Sequence, residues 1–315
     1  MGSVRGLLKS WGPARLGYQV LRGLLRRVKT RFSLEQWKRW KCDMFFPIRN
    51  FLLCGKPISV KVSGISFLLA PKGSTAAGIW SGLYFQRKEL EFILETLEAG
   101  MTFLDIGANS GLFTIPAAKK IGHGKIYAFE PYTWTFQVLQ ENIRLNDLNL
   151  SNVTLVRTAL GDYIGEAVLQ VNAPGKDGLN TLGKPTHPDC QVIGEETVPI
   201  TTLDAFIETE GISKVDVMKV GVEGAELLVF RGCRKLLQGK EAPLILYESR
   251  TFNTAGFGYH PVEITWLLQE YGYYLFVLDE ETGHVAPFKP DRGYDIEVVA
   301  VKPEHPCFGK MQGEV

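Results

Sequence analysis

Acidic residues and a glycine loop in the middle of the chain carry the first chemical signal. The stretch Asp105-Ile-Gly-Ala-Asn-Ser-Gly111 places glycines at 107 and 111. They permit close backbone approach and positive φ where a strand turns into a helix. A helix start there offers N–H groups to an anion such as a carboxylate. Asp105, at the strand end, suits a cationic amine and not a pyrophosphate. Glu130 closes the next strand in Ala-Phe-Glu-Pro131, placed to accept hydrogen bonds from two ribose hydroxyls. Asp162, in Ala-Leu-Gly-Asp after the third strand, is in reach of an adenine amino group. The loop reads Gly-x-x-x-Gly preceded by Asp, whereas a dinucleotide site wants Gly-x-Gly-x-x-Gly. Each acid alone has the alternative of a helix cap or a solvated turn. Their recurrence at three successive strand ends favours one shared pocket for a nucleoside bearing an amine and a carboxylate.

The elements that must position these residues follow from hydrophobic period. Apolar residues predict strands over 102–106, 125–129, 153–158, 215–220, 244–247, 273–278 and 296–301, with helices over 112–121, 134–145, 225–237 and 261–271 and a helical turn at 203–208. Strands separated by helices argue for a doubly wound, mainly parallel α/β sheet. The last two strands lack a helix between them, so at least one is expected to run antiparallel. Residues 172–188, rich in Gly and Pro, read as a long loop. Upstream, 58–70 alternates and breaks at Gly64, which predicts a hairpin leading into the main domain. Leu90, Phe92, Ile93 and Leu97 predict a helix ending at Gly100.

Charge is divided unevenly. Of 35 basic and 34 acidic residues, residues 1–50 hold 12 Lys/Arg against Glu35 and Asp43, a balance of +10. The remaining 265 residues hold 23 basic and 32 acidic residues, a balance of −9. Within 15–41, Leu16, Val20, Leu21, Leu24, Leu25, Val28 and Phe32 form an apolar helical stripe with arginines between. Leu34, Trp37 and Trp40 extend it with aromatics suited to an interface. The readings are a helix packed on the body, peripheral contact with an anionic membrane, or a mitochondrial-type targeting segment. Five widely spaced cysteines without a Cys-x-x-Cys pair argue for reduced thiols and against a zinc site. No run of 18 apolar residues is present. The expected organisation is a basic helical extension over 1–57 and a catalytic domain over 58–315, with its ligand-binding core at 101–250. The expected location is cytoplasmic, with membrane association or mitochondria as alternatives, and no nucleic-acid partner is expected.

From about Tyr84 to Val301 the chain resembles the FkbM family of S-adenosylmethionine-dependent methyltransferases. The resemblance rests on Phe103-Leu-Asp-Ile-Gly-Ala-Asn-Ser-Gly-Leu-Phe113, Ala128-Phe-Glu-Pro131 and Glu141-Asn-Ile-Arg-Leu-Asn146. It continues in Thr202-Leu-Asp204, Val215-Asp-Val-Met-Lys-Val-Gly-Val-Glu-Gly-Ala-Glu226 and Tyr247-Glu248. It implies a class I methyltransferase, Rossmann-like fold, with S-adenosylmethionine held by Asp105, Gly107, Ala108, Asn109, Gly111, Glu130, Pro131 and Asp162. It also implies a hydroxyl acceptor on a glycan or small molecule. One position departs: the family pattern is Lys-x-Asp-x-Glu-Gly, and this chain reads Lys219-Val-Gly221-Val-Glu-Gly224. That loss of a carboxylate opens a second reading, a cofactor-binding scaffold with impaired or absent catalysis.

For methyl transfer, an alcohol must be aligned and must lose its proton. Glu223 and Glu248 are the candidate bases, and Lys219 is expected to orient the acceptor or pair with Glu223. Glu226 reads as a favourable charge at the start of the following helix, an alternative open to Glu223 as well. His123, His187, His260, His284 and His305 show no metal-ligand spacing. His187 sits in the long loop that could cover an acceptor. No metal ligand is assigned: a divalent ion between Glu223 and Glu248 is an open alternative, but Gly221 removes one potential oxygen ligand.

Overall fold

A computed structural model describes residues 33, 36–38, 48, 58–62, 64–69, 79, 86–146, 152–173, 176–279, 282–289 and 293–312. The chain divides into two compact units, Met1–Phe85 and Gln86–Val315. The hairpin expected to open the main domain therefore falls in the first unit. Its strands, β1 (Ile58–Val62) and β2 (Ile65–Leu69), pair antiparallel about Gly64. Most of the stripe at 15–41 lies outside the described residues. Its described part starts a helix at Ser33, whose hydroxyl accepts from Gln36 N while the Gln36 side chain accepts from Ser33 N. This reciprocal cap marks a helix start inside the stripe. Trp37 is buried, 7% exposed, and is not presented as an interfacial aromatic.

The second unit is built on β3 (Thr102–Ile106), α1 (Arg87–Thr96), α2 (Thr114–Ile121), β4 (Lys125–Phe129), α3 (Thr133–Leu145) and β5 (Val153–Val156). Apart from α1, which ends at Thr96 and not at Gly100, these match the expected strand–helix alternation within one or two residues. Both β3 and β4 are almost continuously apolar because helices cover both faces of a parallel sheet. In α3 the buried positions Thr135, Leu139, Asn142 and Ile143 lie on one helical face.

Residues 159–171 and 192–201, on either side of the loop expected over 172–188, form strands that the period did not predict. Here β6 (Ala159–Leu160), β7 (Gly165–Asn172) and β8 (Val192–Thr201) form a separate three-stranded sheet in the order β6-β8-β7. Glycine at 161, 165 and 194 and Pro199 obscure the alternation, and the β7–β8 hairpin closes over a loop of nineteen residues. Between β7 and β8, Asp177–Leu179 form a 3-10 turn and Thr181 bridges back to Gln170.

The chain continues through α4 (Leu203–Glu210), β9 (Val217–Val220), α5 (Glu226–Arg231), α6 (Arg234–Gln238) and β10 (Leu244–Ser249). The single helix expected over 225–237 is broken at Gly232-Cys233. A Cβ at Gly232 would collide with the Gly161 carbonyl oxygen, so two backbones meet where a continuous helix would carry side chains. Next come α7 (Thr251–Ala255), α8 (Val262–Glu270), β11 (Tyr274–Leu278), β12 (Val285–Pro287), β13 (Ile296–Val301) and α9 (Phe308–Met311).

The main sheet has eight strands in the order β12-β11-β13-β10-β9-β3-β4-β5. Strands β10, β9, β3, β4 and β5 are mutually parallel, while β13 is antiparallel to both β10 and β11. This is the doubly wound α/β architecture with the expected antiparallel strand near the C-terminus. The winding reverses between β3 and β9, so a ligand crevice belongs at the carboxyl ends of those strands. Among the described residues no helix is long and apolar enough to cross a membrane.

Candidate functional site

Two lips meet at that crevice: the loop after β3 and the loop after β9. Gly221 N donates to Ile106 O at 3.0 Å, continuing the β3–β9 ladder beyond the strands. Gly107 has φ 81, and a Cβ there would collide with the Gly221 carbonyl oxygen. Glycine at 107 is therefore required twice, for its dihedral and for the close approach.

The first lip is tightly bonded to itself. Gly107 N and Ala108 N both donate to Phe129 O, at 3.0 and 2.9 Å. Asn109 N donates to Glu130 Oε2, Ser110 N to Asn109 Oδ1, and Gly111 N to Ala108 O. The N–H groups of 107–111, expected to be free for an anion, are thus occupied. Asn142 on α3 holds the loop from outside, its Nδ2 donating to Ser110 O at 2.8 Å. That gives Asn142 of the Glu141–Asn146 motif a physical role.

Glu130 is a brace as well as a candidate ligand. Its Oε1 accepts from Tyr132 N and from Thr135 Oγ1, at 2.9 and 2.7 Å. With Asn109 N on Oε2, three of about four lone-pair sites are used, leaving capacity for one further donor where two were expected. Burial raises its pKa to about 7 against these stabilising bonds. Pro131 follows, and having no N–H it ends the β4 ladder there. Asp105 is completely buried, 0% exposed, and Oδ2 accepts from Thr114 Oγ1 at 2.5 Å. Its Oδ1 has no hydrogen-bond partner. Burial pushes its pKa up, opposed by the Lys219 charge across the strand pair.

The third acid is Asp162. It stands exposed in the turn after β6, and among the described residues no hydrogen bond or ion pair reaches it. Strand β6 belongs to the small sheet, so the third acidic strand end lies off the main sheet.

The second lip carries Lys219, Gly221, Glu223 and Glu226, with Glu248 near the end of the neighbouring β10. Glu226 Oε1 accepts from Val222 N and Gly224 N, and burial raises its pKa to about 7. It holds the loop ahead of its own helix, as expected. Tyr259 donates to Gly224 O at 2.7 Å, and Thr181 Oγ1 donates to Glu223 O at 2.9 Å. Glu223 is held in the left-handed region at φ 53, as is Asn109 at φ 47 across the crevice. Non-glycine residues in this region cost about 1 kcal/mol or more and cluster at functional sites. Asn253 Nδ2 donates to Glu223 Oε2, and Gln86 Nε2 donates to Glu248 Oε1 at 2.6 Å. Burial, then the Glu248 and Glu226 charges, raise the Glu223 pKa well above the carboxylate range; Lys219 opposes them. Lys219 does not form the ion pair with Glu223 that was one expectation. Its ammonium lies over Phe113, 5.1 Å from the ring centroid, where a Gly221 side chain would begin.

Residues 184–187 strap this lip. Lys184 N donates to Gly256 O, Thr186 Oγ1 to Phe252 O, and His187 packs edge-on against Phe252. His187 thus serves as an anchor of the strap on α7. Asn142, Asn253, Gln86 and Thr181 are supporting residues that spacing alone does not reveal. Among the described residues no group of three or more His, Cys, Asp or Glu side chains converges as a metal site.

An orphaned buried carboxylate oxygen at Asp105 and a glycine-on-glycine crevice at 107 and 221 fit a ligand with a cationic amine. The Methyltransferase FkbM domain matches residues 105–275 of this chain. Methyltransferase sdnD of Sordaria araneosa is 30% identical over 163 residues, 44% of this chain and 62% of that protein. Hexuronic acid methyltransferase AglP of Haloferax volcanii is 25% identical over 181 residues, 58% of this chain and 66% of that one. The methyltransferase FkbM of Methylobacillus flagellatus overlays with a TM-score of 0.42 at 15% identity, covering 83% of this chain and 60% of its own. The chain spans less than two thirds of each of these relatives. The domain match covers more than half of the chain, and with it the chain belongs to the FkbM methyltransferase family, whose cofactor is S-adenosylmethionine.

Proposed function

We propose that the protein methylates a hydroxyl group on a glycosidic or small-molecule acceptor. The observation that carries this reading is the pair Glu223 and Glu248 at the carboxyl ends of adjacent strands, beside the cofactor loop. When bound, S-adenosylmethionine supplies an electrophilic methyl group. The chain has then to align an alcohol and take its proton. Glu223, its pKa raised by burial and by the Glu248 and Glu226 charges, is the better base, because a raised pKa strengthens a carboxylate as a proton acceptor. Glu248, held by Gln86, raises the Glu223 pKa, and Asn253 fixes the carboxylate. AglP, named as a hexuronic acid methyltransferase, is a relative consistent with a sugar acceptor. Transfer of label from S-adenosylmethionine into glycan, lipid or small-molecule extracts tests the reading. Failure of all three extracts with a chain that binds the cofactor would refute it.

A second reading is a cofactor-binding scaffold, favoured by Gly221 in place of the family aspartate. If Gly221→Asp gains methyl transfer that the natural chain lacks, this reading stands; activity in the natural chain removes it. We also propose that the basic segment 15–41 contacts anionic membrane surfaces of a cytoplasmic protein, on the strength of the +10 balance over 1–50. Flotation with phosphatidylserine vesicles should exceed that of a chain beginning at Ile58, and equal flotation would count against it.

A further inference from the structure

A ligand that brings a carboxylate into the crevice finds every N–H of residues 107–111 already bonded within the protein. Two side chains retain bonding capacity. Asp105 Oδ1 is buried without a donor. Lys219 is only 6% exposed, and among the described residues no hydrogen bond or ion pair within 4.0 Å reaches its ammonium. Its ammonium lies over the face of Phe113, and its charge acts on Asp105 and Glu223 without bonding either. Asp105 and Lys219 are register partners on the parallel strands β3 and β9, so both side chains leave the same face of the sheet. A carboxylate short of a donor beside an ammonium short of an acceptor is the complement of an α-amino-acid zwitterion.

We propose that Lys219, beside the cofactor-site acid Asp105, receives the carboxylate at the amino-acid end of S-adenosylmethionine. Gly221 is what leaves Lys219 available. A side chain at 221 would begin where the Lys219 ammonium lies, with Lys219 Cε 3.1 Å and Glu248 Oε1 3.8 Å away. An aspartate there would pair with Lys219 and occupy it. The glycine that removes a carboxylate from the acceptor side thus adds an anion receptor to the donor side. This rests on S-adenosylmethionine being the ligand of the crevice.

Titration calorimetry with two ligands tests the assignment. S-adenosylhomocysteine keeps the amino-acid end, and 5′-methylthioadenosine keeps the nucleoside and lacks that end. Lys219→Met and Gly221→Asp should each weaken S-adenosylhomocysteine on the order of 10- to 100-fold, as expected for losing a charge-assisted bond. Both variants should hold 5′-methylthioadenosine within about twofold of the natural chain, which also reports that they fold. Equal weakening of both ligands by Lys219→Met, or natural affinity for S-adenosylhomocysteine in either variant, overturns the receptor. A natural chain that binds neither ligand overturns the cofactor itself, an outcome separate from loss of the receptor alone.

Discussion

The two lips of the crevice are built on opposite principles. On the β3 side, five consecutive loop amides, Glu130 and Asn142 bond one another, and the result is a rigid cradle shaped before any ligand arrives. On the β9 side, Lys219, Glu223 and Glu248 crowd together, and Glu223 carries a raised pKa on a left-handed backbone. The first lip spends its polar groups on order; the second keeps them chemically available. Buried polar networks that are fully satisfied rigidify a structure, whereas perturbed titratable groups are the material of acid–base work.

The largest break in this contrast is expected from Gly107→Ala. Its Cβ would collide with the Gly221 carbonyl and force an L-residue to φ 81, so stability should fall by about 3 kcal/mol and cofactor affinity with it. Chemical denaturation and calorimetry check both; natural stability in the variant would contradict the close approach. The braces should also give the fold a pH dependence. Glu130 and Glu226 have folded pKa values of about 7 against 4.5 when unfolded, so their protonated forms favour the native state. That contribution is complete below about pH 4.5 and is lost as pH rises through about 7, by up to about 3 kcal/mol for each group. Glu226→Gln should flatten the stability curve across that window, and an unchanged slope would show that Glu226 titrates normally.

Glu223→Gln sharpens the comparison from the other side. It keeps the acceptor for Asn253 Nδ2 and removes the base, so kcat should fall about 100-fold while stability stays within about 0.5 kcal/mol. A large stability loss with kcat preserved would assign Glu223 to the cradle instead. The smallest effect is expected at Asp162→Ala. An exposed carboxylate without a bonded partner should change S-adenosylhomocysteine affinity by less than about threefold. A larger loss would bring Asp162 back to the adenine site suggested by its place in the sequence.

Much of the fold was legible because parallel strands covered by helices leave an apolar period that few other structures share. Thr102–Ile106 and Lys125–Phe129 coincide with their expected bounds, and the Gly107–Gly111 turn lies where the first strand meets its helix. The small sheet was not legible, since β7 and β8 pair across a long loop and their glycines blur the alternation. Supporting residues escaped for the same reason. Asn253 and Gln86 reach Glu223 and Glu248 across 30 and 162 positions, distances at which spacing carries no information.

The sequence by itself determined the strand–helix rhythm, the glycine at 107, the acids at the strand ends and the missing carboxylate at 221. These depend on local period and residue type. Only the tertiary structure decided what those groups bond. It occupied the loop amides, gave Glu130 three protein donors, left Asp162 in solvent and placed the Lys219 ammonium over Gly221. Hydrogen-bond capacity is a property of neighbours in space, and the neighbours here come from strands and loops far apart along the chain.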